Sequence, residues 1–418
     1  MPLAAVPRYL GQDFSQASSG LRFGLYLPIW TDRWNKNDAA ARDAWRQVTR
    51  LSAGEGEVME AINQRFDALA STLPDSSRLR LEAVSTAPFT TGLGNEHPLE
   101  NGFAFLFPYG IPYLAGSGVK GVLRRAAQEL ARGDWGEDTP WFGLDRPSFT
   151  LKSRNLSLSV IDVLFGREPA AGDGEHVRGA LDFWDVVPLI EGNSLLVEIM
   201  TPHQSHYYQD GEPPHECADP IPIPFLTLAP GARFVFRLRC HTAHLARLTR
   251  EPRPDAPSLL AVDGEGKARW QALLEVAFAH AFDWLGFGAK TSVGYGAMQR
   301  DPAAEAKHYA QEQATREAAR KQAEIESLSP QRQRIQAFID YAEKELARSP
   351  RPKSKIGQPD YQEAQKLAKD ALAPEWSPED RAAARQAIET YLPRLADISL
   401  KDIRKKLELD KLAPPTQQ

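Results

Sequence analysis

The stretch Gly110-Ile-Pro-Tyr-Leu-Ala-Gly-Ser-Gly-Val-Lys-Gly-Val-Leu-Arg124 sets a glycine-rich turn directly against an amphipathic helix. Val119, Val122, Leu123, Ala126, Ala127 and Leu130 recur at three- and four-residue steps, so one stripe of that helix is apolar and faces a core. Ser117 is placed to cap it. Lys120 and Arg124 are four residues apart and share one flank near its start. Amides opened by Gly116, Gly118 and Gly121, the positive end of the helix dipole and two cations then converge where a phosphate would sit. The plain alternative is that these glycines only allow a tight turn and close packing, with both cations solvated.

A second glycine-rich element is Gly286-Phe-Gly-Ala-Lys-Thr-Ser-Val-Gly-Tyr-Gly296. It follows the clearest helical pattern of the chain, Ala268 to Leu285, in which Trp270, Leu273, Leu274, Ala277, Phe278, Ala281, Trp284 and Leu285 mark the apolar side. Gly286 ends that helix as a C-cap glycine would. A nucleotide-binding P-loop is excluded, because Ala289 stands where glycine must precede the lysine and because the helix comes before the loop. What remains is a loop of Gly288, Lys290, Thr291, Ser292, Gly294 and Tyr295 that an RNA backbone or another chain can approach closely.

Working outward, Arg78 to Val84, Gly102 to Phe107, Ala180 to Val187, Leu195 to Met200 and Arg233 to Cys240 alternate with the period of half-buried strands. Asp38 to Leu51 and Glu55 to Leu73 are expected to be helical, with Gly54 and Gly56 as interruptions. Strands and a few helices in no repeating βαβ order predict an α+β fold with an antiparallel sheet. Prolines 213, 214, 220, 222 and 224 make a ladder strand improbable over Gln209 to Pro224, so residues 201–224 are expected to form an irregular, protruding thumb-like insertion. After Pro302 the chain is rich in Ala, Glu, Gln, Lys and Arg, which predicts a boundary near Asp301, a first domain over 1–300 and a helical extension over 301–418.

The 418 residues suffice for two or three domains. Net charge is -5, so attraction to a polyanion has to come from a local basic surface. No apolar run is long enough to span a membrane, and Met1 to Leu10 lacks the basic start and apolar core of a secretory signal, so a cytoplasmic protein is expected. Two cysteines, Cys217 and Cys240, exclude a disulfide framework.

Taken together, the two glycine-rich elements resemble those of the RAMP superfamily, the repeat-associated proteins of CRISPR effectors. Gly110 to Arg124 is similar to that family's Gly-x-Pro-Tyr-x-x-Gly-Ser-x-x-Lys-Gly-x-x-Arg signature at each fixed position. The later Gly-x-Gly-x5-Gly-x-Gly spacing resembles its C-terminal glycine-rich loop. Within the superfamily, Thr91-Gly-Leu-Gly-Asn-Glu-His-Pro-Leu-Glu-Asn-Gly102, Thr201-Pro-His-Gln-Ser-His-Tyr-Tyr208 and Pro220 to Pro230 look like the RAMP subunit that caps one end of type III-B Cmr complexes. The resemblance covers roughly 75–300 and assigns no role to the helical extension. It implies an RRM-like ferredoxin fold, and a non-catalytic subunit that holds the 3′ part of crRNA and its target duplex beside other Cmr and RAMP subunits, in antiviral defence and without a cofactor. The residues expected to meet RNA are Gly116, Ser117, Gly118, Lys120, Gly121, Arg124, Gly288, Lys290, Thr291, Ser292, Gly294, Tyr295, His203, Tyr207 and Tyr208.

Four further groups bear on chemistry. Glu96, His97 and Glu100 precede the Gly-Ser motif where related backbone subunits cleave target RNA with an aspartate, and the sequence has no Asp there. An endoribonuclease is therefore the rival function, and a purely protein-binding scaffold is another. His203, His206, His215 and Cys217 are zinc-type side chains at a spacing foreign to structural zinc sites, so no metal is expected. Tyr207 and Tyr208 offer rings to stack on bases or to anchor their own loop. Arg233, Arg237 and Arg239 alternate with Phe234, Phe236 and Leu238, which predicts a strand with one cationic and one buried face.

Overall fold

The centre of the fold is one long antiparallel pair. The structure, a computed structural model, describes residues 2–169, 174–201, 211, 213, 222–348 and 353–412. The chain divides into two compact units, Met1–His308 and Tyr309–Gln418.

In the first unit, helices α1 (Asp38–Thr49) and α2 (Ala53–Ser71) precede strand β1 (Arg78–Ser85). Gly54 and Gly56 do not interrupt α2. They fall in its first turn, which a reciprocal capping box holds: Ser52 Oγ accepts from the Glu55 amide, and the Glu55 carboxylate accepts from the Ser52 amide. Helix α3 (Gly116–Arg132) leads to β2 (Leu181–Phe183), a ribbon of β3 (Leu196–Met200) and β4 (Ile223–Thr227), then β5 (Arg233–Cys240), α4 (Arg269–His280) and β6 (Met298–Arg300). Strands β2, β5, β1 and β6 form an antiparallel sheet in that order, with Leu81 opposite Phe236 and Phe183 opposite Leu238. In chain order the sheet and its two long helices therefore read β–α–β–β–α–β.

One sheet face packs under α3 and α4. Phe236 meets Phe278, Phe282 and Phe287, with ring centroids 5.2, 5.7 and 4.9 Å away. The helix expected over Ala268 to Leu285 changes pitch at its end, since Ala281–Leu285 is a π-turn closed by the Gly286 amide on Ala281 O. The other face is covered at its middle, where the expected cationic side of β5 loses Arg237 to the interior, while Arg233 stays exposed and Arg239 half-buried. Arg237 is 3% exposed. Its guanidinium donates to Asp67 Oδ1 at 2.8 Å and to Asn63 Oδ1 at 3.1 Å, both on α2. Arg80 shares Asp67 at 3.0 Å. The alternation is present, but at Arg237 a helix bearing an acid covers the cationic face.

Pro224 also departs from expectation, because it lies inside β4 opposite Ile199. A two-stranded ribbon tolerates it, since each strand has an outer edge on which a missing N–H costs no ladder bond. Of the expected strand Gly102 to Phe107, only Phe105–Leu106 pairs, with Ile111–Pro112.

The second unit holds helices α6 (Pro330–Leu346), α7 (Pro359–Asp370), α8 (Pro378–Leu395) and α9 (Leu400–Lys406), and α5 (Pro302–Glu326) leads into it. Its own core joins Ile335, Phe338, Leu367, Ile388, Leu392 and Ile403. No helix among the described residues is long and apolar enough to cross a membrane.

Candidate nucleic-acid interface

Helix α3 starts two residues earlier than a Ser117 cap would require. Ala115 is the N-cap, Ser117 lies within the first turn, and no side chain of the N-cap accepts a hydrogen bond. The capping role expected of Ser117 falls instead to Asp185, whose carboxylate accepts the Gly116 amide at 2.7 Å. One of the amides expected to be open to a phosphate is thus already held by an acid. Gly116 is required for close approach: a Cβ there would lie 2.1 Å from Phe183 O on the edge strand β2. Gly121 has no neighbour within 4 Å of such a Cβ, so packing does not demand it.

Gly116, Ser117, Lys120 and Arg124 line a cleft of about 710 Å³. Two arginines invisible to sequence reasoning join them there, Arg167 and Arg178, from the short ribbon of Gly166–Arg167 and Val177–Arg178. Four cations thus face two carboxylates, Glu168 and Asp182. Arg124 Nη1 reaches Glu168 at 3.1 Å, and Glu168 is largely exposed. Arg178 reaches Asp182 at 2.8 Å, and His241 also binds Asp182. Burial works to raise the Asp182 carboxyl, but His241 and Arg178 outweigh it and hold it below the usual carboxylate range. The only trace of Arg167 and Arg178 in the sequence is that each adjoins a glycine, Gly166 and Gly179. A Cβ on Gly179 would meet Gly166 N at 2.5 Å, so those two backbones touch.

The second glycine-rich element precedes β6 at the opposite edge of the sheet from β2, about 14 Å away across three strand spacings. None of its residues lines the 710 Å³ cleft, so the two elements do not converge on that groove. Gly286, Gly288, Gly294 and Gly296 all have positive φ, as does Lys290 at 59°. Much of the loop's hydrogen-bonding capacity is spent inside the protein. Ala289 donates to Thr90 O and Gly296 to Pro88 O, each at 2.8 Å, while the amides of Val293 and Gly294 close the turn of Thr291 and Ser292 on itself. Gly296 cannot be replaced without movement, since a Cβ would stand 1.8 Å from Phe287 O. The Lys290 ammonium lies 5.0 Å over the Phe225 ring and 3.0 Å from Met200 Sδ. It therefore points to the end of the β3–β4 ribbon. Tyr295 packs on the same Phe225, ring centroids 5.7 Å apart, and burial followed by Glu198 pushes its hydroxyl pKa up.

Residues 82–299, just over half the chain and most of the sheet frame with both glycine-rich elements, match the RAMP superfamily model. The chain belongs to the RAMP superfamily. It is similar to the CRISPR system Cmr subunit Cmr6 of Pyrococcus furiosus, 25% identical over 358 residues that cover 69% of this chain and 96% of that one. Among solved structures, a chain of the type III-B Cmr-beta complex bound to cognate target RNA aligns at 18% identity and TM-score 0.40, over 67% of this chain and 79% of that one. The crystal structure of Cmr6 from Pyrococcus furiosus aligns at 23% identity and TM-score 0.28, over 54% of this chain and 98% of that one.

The remaining candidates in this RAMP chain fare differently. His97 stacks on Phe23, centroids 3.8 Å apart, with Nε2 2.9 Å from Phe23 O and Nδ1 accepting the Leu99 amide at 3.1 Å. Burial pushes its pKa down, with the Phe23 carbonyl opposing and Lys36 adding to the shift. Both ring nitrogens are therefore engaged, and the imidazole serves as a brace between the small hairpin Glu96–His97/Glu100–Asn101 and the N-terminal segment. His203, Tyr207, Tyr208, His206, His215 and Cys217 lie outside the described residues. Among the described residues, no three His, Cys, Asp or Glu side chains are grouped to hold a metal. Cys240 is buried, and burial, with Asp182 adding, pushes its thiol up to about 12.

Proposed function

We propose that this RAMP protein is a non-catalytic RNA-holding subunit of a type III-B Cmr effector, cytoplasmic, positioned beside other Cmr and RAMP subunits at the end of their filament in antiviral defence. Its ligand is the 3′ part of crRNA paired with target RNA. The β–α–β–β–α–β order of the sheet supports an RRM-like ferredoxin frame, and most of the thumb expected over 201–224 lies outside the described residues. The observation that carries the reading is the cleft in which Lys120, Arg124, Arg167 and Arg178 outnumber Glu168 and Asp182. Such a site grips phosphates and leaves base identity to pairing. Lys290, Thr291, Ser292 and Gly294 form the second contact, beside the β3–β4 ribbon. The engaged nitrogens of His97 favour a subunit that does not cut.

The test is RNA retention by the purified chain and by the assembled particle. Lys120→Ala with Arg124→Ala is expected to weaken binding equally for unrelated guide sequences. The slope of log affinity against log salt should fall by about 1.4 to 1.8, the share of two phosphate contacts. Labelled RNA should stay intact with and without chelator. An unchanged affinity and salt slope would sink the assignment of the cleft.

A further inference from the structure

A cavity larger than the Lys120 cleft lies elsewhere. It has a volume of about 1350 Å³ and lies in the first unit, between the N-terminal segment over 12–60 and the ends of β1 and β5. Among the described residues, none of those expected from sequence to meet RNA lines it. Arg46, Arg50 and Arg233 do, and all three are exposed. Among the described residues none of the three has a carboxylate within ion-pair distance, in contrast to Arg124, Arg178, Arg237 and Arg300.

Their freedom has a structural cause. Arg22 donates to the carbonyls of Gln47 and Arg50 at the end of α1, so the helix's negative terminus is already served. Arg46 and Arg50, four residues apart, are released from that duty and present one cationic flank. Arg233, the first residue of β5, lines the same cavity. Phe14 and Tyr26 form part of the wall as a stacked pair, ring centroids 4.2 Å apart and 8° from parallel. Asp13, Glu60 and Glu191 also line the space, so four guanidiniums, with Arg22, meet three carboxylates.

A small surplus of positive charge, aromatic faces and hydrogen-bond acceptors together suit neither a triphosphate, which crowds its charge at one point, nor an acidic peptide, whose carboxylates the three here would repel. They suit a ligand with one phosphate, a flat ring and amino donors on that ring. The volume is ample for it, since ligand sites of roughly 300–1,000 Å³ already enclose molecules of this size. We infer that this cavity binds a nucleoside monophosphate unit, with its phosphate on Arg46, Arg50 and Arg233 and its base against Phe14 and Tyr26. The unit comes either from an RNA strand or from a free nucleotide, and the chemistry is shared. This site stands apart from the Lys120 cleft and does not depend on it.

The experiment uses the full chain carrying Lys120→Ala and Arg124→Ala, so that the first cleft is silent. Adenosine 5′-monophosphate, uridine 5′-monophosphate, a hexauridylate with one 5-iodouridine, and inorganic phosphate are titrated. Binding of the mononucleotides alone identifies the free source, and binding of the oligomer identifies the strand. In either case Arg46→Ala with Arg233→Ala should weaken binding about tenfold or more without moving the melting temperature, because both side chains are exposed. Phe14→Ala should weaken nucleotide but not phosphate, and the iodouridine crosslink should map to residues 12–28. The inference is overturned if neither nucleotides nor oligomer bind, if the arginine variant binds as before, or if inorganic phosphate binds as tightly as the nucleotides.

Discussion

Asp67 shows how much one side chain decides. It sits on α2 and is shared by Arg237, Arg80 and His308. Burial alone would raise its carboxyl, but these three partners overcome that and hold it far below its ordinary value of 3.8. Because the folded pKa is depressed, the stability Asp67 contributes is fully present above the ordinary value and drains away as pH falls below it. Asp67→Asn removes the ion-pair contact of buried Arg237 and is expected to cost about 3–5 kcal/mol at pH 7 in urea melts. Wild type loses part of the same stability in acid, so the gap between the two proteins should narrow by about 1 kcal/mol at pH 3. A gap equally wide at both pH values would mean that Asp67 acts through shape and not charge.

At the scale of elements, the two glycine-rich segments were legible as turns because their reasons are local. Gly116 admits a neighbouring carbonyl, and Gly288 and Gly296 take a backbone conformation that side chains resist. Their hydrogen-bond partners were not legible, because they arrive from far along the chain. Asp185 is 69 residues from the amide it accepts, and Thr90 and Pro88 reach the second loop from the far end of β1. The same holds for Arg167 and Arg178, which only a ribbon's pairing brings beside Lys120, and for Arg237, whose cover is a helix and not water. A sequence thus announces which backbone is open, but not which side chain has already filled it. This yields a contrast in α3. Ser117→Ala removes no cap and should change stability by less than about 0.5 kcal/mol, whereas Asp185→Ala strips the acceptor from the helix start and should cost about 1–2 kcal/mol. Equal effects in chemical denaturation would return the capping role to Ser117.

At the scale of the whole molecule, the net charge of -5 means that RNA cannot be drawn in by the protein at large, and the basic cleft has to act within a Debye length of about 8 Å at physiological salt. The division into two units carries a separate consequence for stability. The first core gathers Leu81, Phe236, Leu123 and Phe278, and the second gathers Phe338, Leu367, Ile388 and Leu392, with no side chain common to both. Each unit has the cap and core residues that a cooperative transition needs. Ser329, Ser377 and Ser399 each accept an amide at the start of α6, α8 and α9. A fragment spanning 327–418 is therefore expected to be helical by circular dichroism and to unfold cooperatively. Its midpoint should match one of two transitions in the calorimetric trace of the full chain. A broad, non-cooperative melt of the fragment would show that its core is completed only by residues outside it.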